Sequence, residues 1–261
     1  VGAGPGGMQA ALSADRRGHR VTLYEQEKKV GGNMRRAAIP SFKQEVQRLF
    51  DYYKHKIMDS SVEVQLGTFA NINLLEGGDY QVIVVAVGGH TAMPCIDGLE
   101  TVDAMEAPKI LERGTVSGEN IAIIGGGLVG CEVGWYLRQQ GKSVLVIDKV
   151  SKEQLMPKEH PTNKAVLLSR LQKAGVELLT ETNVCQINGG QLKLGLANGS
   201  DETRSVDQVV IATGFAPRRH LWERLHNSHL DQTAEIFRVG DCRRPGRFFE
   251  AINEGALVGN N

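Results

Sequence analysis

The chain is poor in cysteine: Cys95, Cys131, Cys185 and Cys242 are its only four, and no two of them form a CxxC pair. That spacing argues against a disulfide framework, a zinc site or a dithiol redox centre built from these residues. It also lacks an excess of either charge, since 30 basic side chains balance 30 acidic ones. No overall field therefore draws the chain to nucleic acid or to an anionic membrane. No apolar run nears the roughly 20 residues that cross a bilayer. The first residues show no basic segment leading into an apolar one, so no export signal is visible. The expected setting is cytoplasmic and reducing, with no nucleic-acid or membrane partner. Glycine, in contrast, is abundant, with 31 residues, and 41% of the chain is hydrophobic, a composition ordinary for an α/β protein.

Two of those glycine clusters belong to one repeat. Residues 1–26 (VGAGPGGMQAALSADRRGHRVTLYEQ) align without a gap on residues 124–149 (IGGGLVGCEVGWYLRQQGKSVLVIDK), at a constant offset of 123. Gly2, Gly4 and Gly7 match Gly125, Gly127 and Gly130, and Glu25 matches Asp148. Each copy reads as a strand end, a glycine turn, a helix with one apolar face, a glycine stop and a β-branched strand closed by an acid. The first glycine permits the tight turn and the second lets backbone approach a pyrophosphate. The third allows helix to pack closely on strand, and the helix N-terminus presents unpaired N–H groups to phosphate. The acid is placed to accept hydrogen bonds from ribose hydroxyls. One GxGxxG is weak evidence; two complete frames with the same spacing are strong.

Further elements fit around these frames. Residues 82–88 (VIVVAVG) and 209–214 (VVIATG) read as closing strands, with Gly88 and Gly214 letting the chain pass near a cofactor. After Glu25, Gly31-Gly32 opens another helix and can set N–H groups beside the pyrophosphate and ribityl end of FAD; Pro5, within the first glycine turn, is a further candidate cofactor-binding residue. Near the end of the chain Val239-Gly240-Asp241 precedes a helix from about Phe248; Asp241 can hold a ribityl hydroxyl. The second copy has no Gly-Gly follow-up and is the better nicotinamide site. Asp148 there favours NADH, because a carboxylate repels the 2′-phosphate of NADPH, although the adjacent Lys149 softens that preference. The basic pairs Arg35-Arg36, Arg218-Arg219 and Arg243-Arg244 read as surface charge, one of which could meet a phosphate. His220, His226 and His229 read as a solvated helix or loop, so no metal site is assigned. No acid, base or nucleophile is assigned a catalytic role.

The expected fold is α/β, with two Rossmann-like dinucleotide-binding domains. An NAD(P) domain (111–204) is inserted in a discontinuous FAD domain (1–110 and 205–261), the chain crossing near residues 94–98 and 212–217. Residues 188–202 read as a hairpin at the far edge of the inserted domain. Val1 stands where a buried strand should end and residues 249–261 read as a helix in mid-course, so the chain is expected to be a piece of a longer protein, less stable by itself.

With these motifs the chain resembles the flavin-disulfide-reductase-type fold. More narrowly, it is similar to the C-terminal FAD/NAD(P)-binding half of the 2,4-dienoyl-CoA reductase and enoate reductase group, the old yellow enzyme-like NADH:flavin oxidoreductases. Residues 1–53, 121–148 and 239–255 carry that likeness, above all Gly-Gly running into Ala38-Ile39-Pro40 and Gly-Asp-Cys running to Glu-Ala-Ile-Asn-Glu-Gly. The resemblance implies NADH or NADPH reducing FAD, with a 4Fe–4S cluster and FMN in an N-terminal TIM barrel passing electrons to an activated C=C bond, as in a 2,4-dienoyl-CoA or 2-enoate. The barrel and its cysteine cluster are absent from these residues. Val87 stands where the group commonly has Thr, and in some relatives the first site holds ADP. Two other readings stay open: a nucleotide-binding scaffold without turnover, and a free-standing NAD(P)H:acceptor reductase, which in the thioredoxin reductase group needs a cysteine pair this chain lacks.

Overall fold

The computed structural model describes residues 1–261. In chain order the elements are α1 (Pro5–Arg16), β1 (Thr22–Glu25), α2 (Gly32–Ala37), α3 (Gln44–Met58), β2 (Glu63–Leu66), α4 (Ile72–Glu76), β3 (Val82–Val85) and β4 (Gly89–Thr91). There follow β5 (Asp103–Glu106), α5 (Ala107–Arg113), β6 (Asn120–Ile124), α6 (Leu128–Gln139), β7 (Ser143–Ile147), α7 (Pro161–Ala174) and β8 (Glu177–Leu179). Last come β9 (Asn183–Asn188), β10 (Gln191–Gly195), β11 (Asp201–Ser205), β12 (Gln208–Ile211), β13 (Phe215–Pro217), α8 (His220–His226), α9 (Leu230–Thr233), β14 (Glu235–Arg238) and α10 (Phe248–Gly259). None of the helices is long and apolar enough to cross a membrane.

The chain divides into two compact units, one made of Val1–His90 with Phe215–Asn261 and one of Thr91–Gly214. The first unit is thus discontinuous and the second inserted in it. The boundaries expected from sequence, 110/111 and 204/205, fall inside the second unit. Strand pairing is the reason: β12 lies in parallel between β5 and β6, so residues before 111 and after 204 complete the inserted sheet.

The second unit is built on a five-stranded parallel sheet ordered β5-β12-β6-β7-β8. Its inner strands are continuous apolar runs (IAII, VLVI, VVI) because both faces are covered. On one face α5, α6 and α7 bury Ile110, Leu137 and Leu171 against Ile123, Val146 and Val210. On the other, Ile187, Leu192 and Leu194 pack on Ala122, Leu145, Ile147 and Val209. The segment expected as an edge hairpin is therefore a three-stranded antiparallel sheet, β11-β10-β9, lying over a sheet face. Alternation decides it: Leu192 and Leu194 are buried while Gln191 and Lys193 face out, a period of two that covers one apolar surface.

The first unit repeats the plan around Val1. β1 pairs with β2 and β3 with β14, both in parallel. Val1 lies between the pairs: its nitrogen donates to Val84 O (2.7 Å), its carbonyl accepts from Ala86 N (2.8 Å), and Gly2 N donates to Tyr24 O (2.7 Å). The same bonds recur around Ile124, where Ala212 N donates to Ile124 O and Gly125 N to Ile147 O, each 2.8 Å. The order β2-β1-Val1-β3-β14 thus mirrors β8-β7-β6-β12-β5. Met8, Leu23, Met34, Tyr53 and Ile57 form the core on the α1–α3 side, and Leu75, Ile83, Val85 and Leu225 the core under α4 and α8.

Candidate dinucleotide sites

In the first unit, Gly4 is the N-cap of α1 in extended conformation and makes no side-chain cap, and Gly4, Pro5 and Gly6 at that helix end line a cavity. A Cβ placed on Gly4 would meet no atom within 4 Å, whereas one on Gly7 would press into Gly2 O and lie 3.1 Å from Ala86 Cβ. Two glycines of one motif therefore do different work: Gly7 is packing, and Gly4 is vacant space at a helix N-terminus. Gly2 supplies the turn at φ +99°, where a Cβ would drive into Ala86 O.

Glu25 ends β1 with only 8% of its surface exposed. Its Oε2 accepts Ala3 N and its Oε1 accepts Glu27 N, both at 2.8 Å, so the carboxylate is fixed beside the glycine turn. Gly31 (φ +108°) caps α2, and a Cβ on Gly32 would lie 3.4 Å from Gly4 Cα, so the two glycine turns abut. Arg35 and Arg36 both pair with Glu27, at 2.7 and 2.5 Å. Asp241 sits in a 3₁₀ turn and accepts Gly246 N at 3.0 Å, just before α10. That helix lies directly along α1, because Gly255 and Gly259 leave no side chain between the two backbones.

These parts enclose a cavity of about 720 Å³, within the range usual for cofactor sites. It brings together Gly2, Gly4, Pro5, Glu25, Gly32, Gly88 and Asp241, while Gly7 and Gly31 stand behind the wall as packing. Sequence reasoning missed several lining residues: Phe69, Ala70 and Ile72 on the segment entering α4, and Leu221 and Arg224 on α8. No local pattern marks them, since only β1–β2 pairing and α4–α8 packing place them there. Arg36, Arg218 and Arg219, read as surface charge, also line this cavity, and Arg218 and Arg219 are solvent-exposed as well.

The second unit repeats the geometry bond for bond. Gly127 caps α6 in extended conformation, and its Cβ position is likewise empty to 4 Å. A Cβ on Gly130 would press into Gly125 O and lie 3.2 Å from Ala212 Cβ. Asp148 Oδ2 accepts Gly126 N at 2.6 Å and Oδ1 accepts Val150 N at 3.1 Å, as Glu25 does in the first copy. Gly214, at φ +99°, ends the segment after β12, again with open space at its Cβ position. Glu132 is half-buried on the first turns of α6. Cys131 is packed, its thiol donating to Gly126 O at 3.3 Å, and burial followed by the charge of Asp148 pushes it up to about 12. Cys242 is also sealed; burial raises its thiol while it donates to Val85 O and Val239 O.

Residues 1–255 match the family model described as pyridine nucleotide-disulphide oxidoreductase. The chain belongs to that family. Bilirubin reductase of Mediterraneibacter gnavus is 31% identical over the whole chain, and cinnamate reductase of Clostridium sporogenes is 29% identical over 268 aligned residues. The chain spans 40% of the first protein and 38% of the second. A solved 2-naphthoyl-CoA reductase superposes with a TM-score of 0.92 at 27% identity, covering 99% of this chain and 38% of that one. Thioredoxin reductase of Lactococcus lactis, at 20% identity and a TM-score of 0.77, shares the fold and is 94% covered. The likeness to the enoate reductase group thus rests on relatives of which this chain spans about two-fifths, and the family is one of FAD- and NAD(P)-type oxidoreductases.

Proposed function

We propose that this chain is the NAD(P)H-oxidising part of a flavoprotein reductase, with FAD held in the first unit and the nicotinamide nucleotide in the second. The observation that carries the reading is the duplicated site: twice over, a helix N-terminus is left uncapped, its glycine leaves empty space, and a carboxylate is pinned beside the turn. In the first unit Gly4, Gly32 and the α1 N-terminus would take the diphosphate, Glu25 the adenosine ribose and Asp241 a ribityl hydroxyl. The cavity continues past Gly4 to Asp241, Phe248 and Ala251, further than a diphosphate needs, which favours FAD over ADP. In the second, Gly125, Gly127 and the α6 N-terminus would take the diphosphate and Asp148 the ribose, with Gly130 and Gly214 shaping the walls. When bound, the two groups supply hydride transfer from nicotinamide to flavin.

The protein's work is then to bind, orient and keep water out, and none of its side chains need exchange a proton for this half-reaction. The relatives' greater length and the family likeness support an onward path through a 4Fe–4S cluster and FMN on a barrel domain to an activated C=C bond. Purified protein should show a flavin spectrum that bleaches under anaerobic NAD(P)H. A colourless protein that also fails to take up added FAD would refute this reading.

A further inference from the structure

The reading above gives Asp241 to a ribityl hydroxyl and leaves open what sets that side chain in place. We propose that Glu254, on α10, is a positioning residue of the flavin site: its carboxylate holds the turn that presents Asp241 to the cavity. The inference rests on FAD occupying the first unit and deepens that reading.

Three observations carry it. First, Glu254 is bonded to the turn itself. Its Oε2 accepts Gly240 N and its Oε1 accepts Arg243 Nη1, both at 2.7 Å. Gly240 opens the 3₁₀ turn and Arg243 caps its far end, so one carboxylate ties down both sides of Asp241. Gly240 is buried, and a buried donor deprived of its acceptor destabilises the conformation that buries it.

Second, the turn pivots on a residue with little preference of its own. Gly240 adopts a left-handed φ of +69°. Glycine enters that region without penalty and leaves it as readily, so a bond must hold it there. Arg243 N and Arg244 N both return to Gly240 O, at 2.8 and 3.1 Å, and Asp241 Oδ1 accepts Gly246 N at 3.0 Å. A shift at Gly240 would therefore carry Asp241 and the entry to α10 with it.

Third, Glu254 acts at one remove. Val239, Gly240, Asp241 and Ala251 line the cavity, and Glu254 does not. Ala251 and Glu254 stand three apart on α10 and share a face. A Cβ on Gly240 would lie 3.4 Å from Ala251 Cβ, so Ala251 packs on this glycine in the cavity wall while Glu254 bonds to it from outside the wall. The Glu254 side chain is 24% exposed and that of Arg243 58%. An ion pair so open to water contributes little, which leaves the bond to Gly240 N as the part that positions.

The test is titration of purified, flavin-free protein with FAD, following flavin fluorescence, with the visible circular dichroism of the bound flavin as a second readout. Glu254→Ala should weaken FAD binding about tenfold or more and alter that dichroism. Glu254→Gln keeps an oxygen for Gly240 N and should stay within about threefold of wild type, as should Arg243→Ala. Glu254→Asp, too short to reach Gly240 N from an unmoved α10, should lose FAD as the alanine variant does and serves if that variant fails to fold. Because Glu254 acts through Asp241, the double variant Asp241→Ala, Glu254→Ala should bind FAD within about twofold of Asp241→Ala alone. Affinity that neither Glu254→Ala nor Glu254→Asp lowers overturns the inference while leaving the flavin site intact. So does a glutamine variant as weak as the alanine one, or a double variant in which the two losses add. A wild type that takes up no FAD overturns the inference together with the reading beneath it.

Discussion

The division of labour between the second and third glycines can be tested at Gly127 and Gly130, three residues apart on the same turn and helix. A methyl group at Gly127 meets no protein atom within 4 Å, and the backbone there, at φ −67° and ψ −177°, suits any residue. Alanine at such a position gains about 0.4–1 kcal/mol from the unfolded state and loses a similar amount as a poor N-cap. Gly127→Ala should therefore stay within about 1 kcal/mol of wild type. At Gly130 the added carbon would lie 3.0 Å from Gly125 C, 3.2 Å from Ala212 Cβ and closer still to Gly125 O. Ordinary contact begins near 3.4 Å, so α6 would have to retreat from β6 by roughly 1 Å or more, loosening close-packed neighbours. Overpacking of this kind costs about 3 kcal/mol or more against rigid backbone, and the better helix propensity of alanine returns about 1 kcal/mol. The net loss of at least ~2 kcal/mol corresponds to a fall in melting temperature of roughly 6–12 °C for a unit of this size. Nucleotide binding should show the opposite order in its cause. Gly127→Ala folds normally yet fills the space a diphosphate would enter, weakening binding about tenfold or more, ~1.4 kcal/mol. Thermal melts and nucleotide titrations on both variants decide the matter. If Gly127→Ala melts as early as Gly130→Ala, or binds nucleotide as well as wild type, the reasoning fails.

Other outcomes follow from the same geometry. Gly259→Ala would place a Cβ 2.7 Å from Ser13 Cβ and against Ala10 O, so α10 should lift from α1, lowering the melting temperature and releasing flavin; unchanged flavin retention would count against it. Thiol labelling at pH 8 should modify the exposed Cys95 and Cys185 quickly and spare Cys131 and Cys242, whose thiols burial keeps protonated, until denaturant is added. Four thiols reacting at one rate would contradict the packing. Asp207 accepts Glu119 N and Asn120 N at 2.7 and 2.8 Å, and these bonds hold its carboxyl below the ordinary 3.8. A depressed folded value means stabilisation that is full above about pH 4 and lost as pH falls through the folded value. Asp207→Ala should thus lower the urea midpoint at pH 7 and converge on wild type at strongly acid pH, where persistence of the gap would exclude the carboxylate as its cause.

The duplicated βαβ frame is legible in residues that stand close together along the chain. Positions 2, 4, 7 and 25, with their counterparts 123 residues on, are constrained locally: a turn needs positive φ, a helix must touch a strand, and an acid must end the next strand. Such constraints act over some 25 residues and leave a readable spacing. Tertiary structure decided what depends on partners far along the chain. Pairing of β12 between β5 and β6 drew the unit boundaries outward, and burial of Leu192 and Leu194 turned an expected edge hairpin into a sheet covering a face. Phe69 and Arg224 reach the cavity wall only because α4 meets α8, a contact between segments about 150 residues apart that no local pattern records. The state of Asp148 belongs to this second class as well. That an acid stands there is legible in the sequence, whereas its restraint by the N–H groups of Gly126 and Val150 follows from how the chain folds around the glycine turn.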